Sequence, residues 1–310
     1  MSLRTQGLGF SALAWLLIIA GLGLPHLDAQ AQLAALSPVI LLLGVPHGAL
    51  DIVFVQQLTS FESAARRVLF TLAYLAAAAL VVAFWRFAPG YFLAAFLLTS
   101  ALHFSGDLDG ETPWPFRVLY GGAIVFCPLA LHVEEVTQVF ALLAGLPAAQ
   151  AIVGALQWAA WPWVAAVSLA AFAGAKRAPQ RATELASITA LLTLAPPLIG
   201  FTVFFCGMHS ARHILRTRDY CGAQTLRPLL RIAGWPMLAT LAGVAAAWAL
   251  SDGKPLDARL AQLLFVGLAA LTVPHMIVVE RVRFSGWRTG RATPPAPVEP
   301  AGAGDADQVT

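Results

Sequence analysis

Four histidines carry the chemistry open to this chain: His47, His103, His209 and His213 each lie within or at the end of an apolar segment. An imidazole in hydrocarbon is costly without a partner, so each is a candidate for function. Together they suggest a metal. His209 and His213 are the strongest local pair, because residues four apart share one helix face and can hold one ion. Two interfacial histidines bonded to neighbouring helices would leave the same trace.

Carboxylates recur at the same spacing. Asp51 follows His47 by one turn and is the only charge between Ala29 and Phe61, so it must face protein. A ligand histidine commonly gives its second N–H to a carboxylate, which fixes the tautomer, and the spacing offers Asp51 to His47 in that role. A structural pair fastening two helices is the alternative. His103 and Asp107 repeat the spacing near Gly106, whereas Asp109 and Glu111 read as a solvated loop. The order Val45, Pro46, His47 returns at Val273, Pro274, His275. His275 is therefore a fifth ligand, a group behind the ligands, or a substrate contact. Glu280, five residues on, is poorly spaced to pair with it. Arg212 points to another helix face and needs an anion if buried, with Asp51, Asp107 or a lipid phosphate as candidates. Trp158, Trp161 and Trp163 read as belt or packing residues, and His26 and His132 as groups in external turns.

The elements that position these residues follow from composition. The chain has 310 residues, 59% hydrophobic and 11% charged, with a mean hydropathy of +0.74. Charge-free runs occupy residues 5–27, 68–85, 87–106, 118–133, 136–175, 185–211, 232–251 and 260–279. About 20 helical residues span a bilayer core, and the runs lack the alternation of a β-barrel. The pattern predicts an all-α, polytopic transmembrane helical bundle of about 8–10 spans, with the histidine metal site inside it. The expected spans are 8–25, 33–58, 66–87, 90–106, 117–132, 149–173, 184–215 with a break, 229–250 and 259–283. Residues 1–283 read as one integral membrane domain. The Pro, Ala, Gly and Asp-rich stretch 284–310 reads as a disordered tail.

Several function classes are disfavoured. Cys127, Cys206 and Cys221 are odd in number and form no CxxC, so neither disulfides nor a thiolate metal site is indicated. The first apolar run lacks a convincing cleavage site and reads as the first span rather than a signal peptide. The net charge is +3, and the basic residues gather in a few connections, at Arg66 and Arg67, Arg117, Lys176 to Arg181, Arg212 to Arg231 and Arg281 to Arg291. Under the positive-inside rule these connections are cytoplasmic, as are both termini. No nucleic-acid footprint is needed to explain the charge.

Residues 184–215 pose the topological question. Pro196 and Pro197 interrupt the run, and consecutive prolines break or kink a helix. As one pass the segment would put Arg212, Arg216 and Arg218 outside; as two short passes it returns them to the cytoplasmic side. The second version also brings His209 and His213 to the leaflet of His47, His103 and His275.

The arrangement resembles a known family. His47 with Gly48 and Asp51, His103 with Phe104, the box His209, Ser210, Ala211, Arg212, His213, and Pro274 with His275 are similar to the Brp/Blh family of β-carotene 15,15′-dioxygenases, in order and spacing from about residue 30 to 283. The resemblance implies a multi-pass enzyme of the cell inner membrane that uses Fe(2+) and O2 to cleave β-carotene, or a related carotenoid, into two molecules of all-trans-retinal. It implies iron binding by His47, His103, His209 and His213, with a rhodopsin as a potential recipient of the retinal. Neutral imidazoles suit iron among first-row metals, and Asp51 and Asp107 are then best placed behind the ligands. A carotenoid reaches such a site laterally from lipid.

Other classes stay open at this stage. A di-iron desaturase or hydroxylase needs about eight ligands from several histidine boxes, and the chain has seven histidines with one HxxxH. HExxH is absent, which disfavours a zinc protease. A transporter or non-enzymatic carotenoid-binding protein, using the buried His and Asp groups as a proton relay, is the alternative outside enzymes.

Overall fold

A computed structural model describes residues 1–21, 27–58, 63–108, 112–223 and 225–282. His26, Asp109, Glu111 and the tail 284–310 lie outside the described residues. Among those described, the chain is helical throughout: α1 (Leu3–Gly21), α2 (Ala29–Val55), α3 (Ala64–Phe87), α4 (Pro89–Phe104), α5 (Trp114–Phe126), α6 (Val133–Ala144), α7 (Leu146–Gly174), α8 (Pro179–Leu194), α9 (Pro197–Tyr220), α10 (Arg227–Leu250) and α11 (Leu256–Glu280).

Seven of these, α1, α2, α3, α7, α9, α10 and α11, are long and apolar enough to cross a membrane. Their outward faces agree: Leu80, Phe172 and Trp235 are 70%, 82% and 80% exposed. Water would not favour so much bare apolar surface on a folded chain, and lipid does. No residue of α3 is fully buried, so it covers the bundle from outside. Trp158 and Trp161 also point outward, whereas Trp163 stacks on Phe126 and donates to the Leu119 carbonyl.

The structure resolves the segment 184–215 as two helices. The break falls at Ala195 and Pro196, and the first helix begins earlier than expected, at Pro179. The two run antiparallel. Gln180 and Glu184 at the start of α8 lie beside Arg4 and Arg212, while Trp15 further along α1 reaches Ser187. Arg218, near the end of α9, donates to the Met1 carbonyl. At 16 residues α8 is short for a span, as is α4. The short amphipathic α6, which buries Val136, Val139 and Leu143, was not anticipated as a separate element.

Three of the helices that carry histidines are irregular where they pass the core: α11 at the π turn Gln262–Val266, and α2 and α9 where they meet. In α2, residues Ile40–Gly44 form a wide π turn and Val45–Leu50 a tight 3-10 turn. Pro46 has no N–H to give the carbonyl four residues back, and its ring crowds that carbonyl. In α9, Phe204–Ser210 is likewise a π segment. The two widened stretches pack face to face, since a Cβ on Gly44 would stand 2.3 Å from the Phe205 ring. Such bulges re-aim the side chains beyond them.

Candidate metal centre

Five histidines meet where α2, α4, α9 and α11 come together: His47, His103, His209, His213 and His275, each less than 9% exposed. His47 lies at the centre, its ring centroid 4.9, 5.5 and 5.0 Å from those of His209, His213 and His275. His103 packs on His209 and His275 at 4.7 and 5.2 Å, and His213 on His275 at 5.1 Å. One ring nitrogen each of His47, His103 and His275 lies within 4.8 Å of the other two. The four histidines singled out in the sequence lie together in space, and His275 lies among them.

Partners on Nδ1 orient the rings. A carbonyl can only accept, so the 2.5 Å contact from His47 Nδ1 to the Gly44 carbonyl puts the proton on Nδ1 and leaves the Nε2 lone pair free. Ser210 Oγ supports the same carbonyl at 3.1 Å and lies 3.0 Å from His47 Nδ1, tying α9 to α2. His209 Nδ1 is 2.9 Å from both oxygens of Asp107. His275 Nδ1 is 2.6 Å from Asp51 Oδ1. Nε2 of His103 and of His209 are 3.1 Å apart. That separation suits a hydrogen bond. It equally suits two ligands on one ion, since nitrogens about 2.1 Å from a shared metal at right angles stand about 3 Å apart.

The carboxylates therefore serve other histidines than spacing proposed. Asp51 holds His275 rather than His47, and Asp107 holds His209 rather than His103. The reason is local. His47 sits in a turn of three residues per repeat, where a residue four further on has rotated off its face. Helix α4 ends at Phe104, and Ser105–Asp107 tightens in the same way. Arg212 finds neither aspartate. It pairs with Glu184 at 3.0 Å and donates to Gln6 Oε1 at 3.1 Å, on the far side of α9 from the cluster. His132 pairs with Glu135 at 3.2 Å, away from the site.

Four contributors escaped the sequence reading. Tyr74 donates its hydroxyl toward Asp51 Oδ2 at 3.1 Å and the Leu271 carbonyl at 3.2 Å. Its only signal was a hydroxyl in the otherwise apolar run 68–85, shared with Thr71. Ser210 lay inside the histidine box with no role, and Glu184 was hidden at the edge of a charge-free run. Arg216 donates to the Asp107 backbone carbonyl at 2.5 Å and fixes the turn that carries that carboxylate.

This donor set fits a first-row divalent ion. It offers neutral imidazole nitrogens, tautomers fixed from outside by two carboxylates and a carbonyl, and no thiolate. The buried Nε2 of His275 has no hydrogen-bond partner among the described residues, as expected of an atom set to meet an ion. Aromatic edges wall the cluster: Phe104 stands 4.8 Å from His209, and Phe205 stacks on it at 5.7 Å. Two hollows of about 340 and 600 Å3 open elsewhere, one around Asp28, Glu135 and Pro196 and one between Trp15, Phe172 and Thr189. Neither is lined by a histidine.

Comparison with known proteins agrees with this geometry. Residues 39–282 match the family model described as β-carotene 15,15′-dioxygenase. A β-carotene 15,15′-dioxygenase from uncultured marine bacterium 66A03 is 29% identical over 255 residues, covering 78% of this chain and 90% of that one. No solved structure matches the chain. Since the matched stretch runs from within α2 to the end of the last helix and contains all five clustered histidines with both of their aspartates, this chain belongs to the β-carotene 15,15′-dioxygenase family.

Proposed function

We propose that the protein cleaves the central double bond of β-carotene with O2, giving two molecules of all-trans-retinal, at an Fe(2+) held by His47, His103, His209 and His213 within the cell inner membrane. The observation that carries this reading is the convergence of buried imidazoles, three with ring nitrogens within 4.8 Å of one another, in a member of this family. Bound iron would supply the means of bringing O2 and an electron-rich double bond to reaction. The residues do the rest. The Gly44 carbonyl and Asp107 keep the Nδ1 protons of His47 and His209 in place, so that Nε2 faces inward. Phe104, Phe204 and Phe205 give the cluster an apolar wall that excludes water and suits a polyene.

Substrate and product are both lipophilic, so a site reached from within the bilayer needs no aqueous passage. Retinal released there is available to a membrane apoprotein such as a rhodopsin. Both termini are assigned to the cytoplasmic side, which the basic connections favour.

Expression in cells that accumulate β-carotene, followed by retinoid chromatography, tests the reading. Loss of orange colour with appearance of retinal is expected. Folded, iron-loaded protein that leaves the carotenoid intact would overturn it.

A further inference from the structure

His275 is wired like a ligand. Its ring is 2% exposed, its Nδ1 is committed to Asp51 at 2.6 Å, and its buried Nε2 has no hydrogen-bond partner among the described residues. A buried ring nitrogen left without a partner is costly, and His275 has a ring nitrogen within 4.8 Å of one on His47 and one on His103. The same pattern, Nδ1 to a buried carboxylate and Nε2 inward, recurs at His209 with Asp107. Asp51 is itself fixed from its other oxygen. Tyr74 reaches it at 3.1 Å from α3, a helix none of whose residues is fully buried. The Tyr74 hydroxyl also touches the Leu271 carbonyl, one turn before His275 and just before Pro274 interrupts the hydrogen-bond ladder of α11.

We propose that His275 is a further direct ligand of the metal, and that Asp51 and Tyr74 are positioning residues that hold its Nε2 toward the ion. The proposal rests on the reading of the histidine cluster as a metal site. It places a ligand on α11, so that the centre draws on four helices, α2, α4, α9 and α11. The carboxylate sets the tautomer, and the tyrosine, as the second donor to that carboxylate, stops it from rotating away. A ligand histidine that loses such a carboxylate partner costs the site about 10–100-fold in metal affinity.

The test is iron affinity, measured by chelator competition on the full chain in detergent, with the visible spectrum of the Co(2+)-substituted protein as a second readout. Asp51→Asn is expected to weaken affinity by about 10–100-fold, and Tyr74→Phe by less. His275→Gly is expected to lose iron more severely, to change the intensity of the cobalt bands, and to recover both with added imidazole. A packing role would give no such recovery. Asp51→Asn and Tyr74→Phe proteins with wild-type affinity and an unchanged cobalt spectrum would overturn the proposal, even if His275→Gly fails to fold. Failure of the functional reading looks different: wild-type protein that binds iron through His275 yet makes no retinal leaves the ligand assignment standing.

Discussion

At the scale of single residues, the site is organised by what lies behind the histidines. Each Nδ1 partner settles which nitrogen faces inward, and the partners differ in kind: a backbone carbonyl for His47 and carboxylates for His209 and His275. Asp107 is the more exacting of the two carboxylates, because both oxygens lie 2.9 Å from one N–H while Arg216 holds its own backbone carbonyl. Asp107→Asn removes the charge and lets the amide present either end. It is expected to lower iron affinity by about 10–100-fold, read as iron retained through a chelator titration. The sequence showed which residue types were out of place in hydrocarbon, and all five of those histidines meet. It did not show who holds whom. Spacing of four residues pairs side chains only along a regular helix, and His47 and Asp107 both sit in tightened turns. Asp51 and Asp107 thus contact other rings than their spacing offered, His275 and His209 in place of His47 and His103.

At the scale of elements, the outline was legible because a run of uncharged residues can cross lipid only as a helix. Pro196 and Pro197 announced the turn between α8 and α9, and the antiparallel pair they join is the arrangement that gathers the histidines. Wide and tight turns inside α2 and α9 were not legible, since they are set by how two helices seat against each other at Gly44 and Phe205. Close seating recurs at Gly121, where a Cβ would stand 2.0 Å from the Ala101 carbonyl oxygen and 2.6 Å from the Ser105 nitrogen. Both are backbone atoms at the end of α4, flanking His103. Gly121→Ala must push that helix end away, and is expected to cost about 1–3 kcal/mol and to lower bound iron. Gly154→Ala is the matched control, with nothing within 4 Å of the added methyl. It should be neutral or stabilising by up to about 1 kcal/mol. Thermal inactivation midpoints in detergent separate the two.

At the scale of the whole molecule, a second polar centre lies on the opposite side of α9 from the histidines. Arg212 and Glu184 form an ion pair with side chains 7% and 6% exposed, and Gln6 on α1 joins it by accepting from Arg212 and donating to the Gly207 carbonyl at 2.7 Å. Removing one partner leaves a buried charge alone, at a cost of about 3–5 kcal/mol. Glu184→Gln and Arg212→Met are each expected to be strongly destabilising, and Arg212→Met with Glu184→Leu less so than the two singles combined. A double-mutant cycle on unfolding midpoints checks this, and full additivity would count against the pair. Gly7 presses on the same place, with room for no side chain beside the Glu184 carboxylate. Yet α1 lies before residue 39, where the match to the family begins. The border drawn by similarity is therefore not a seam in the fold. The helix that carries the most recognisable residues of the family is braced from behind by one that lies outside the stretch the family model matches. Anyone grafting, trimming or swapping the shared part between relatives would have to carry α1 along, or replace the bonds it makes.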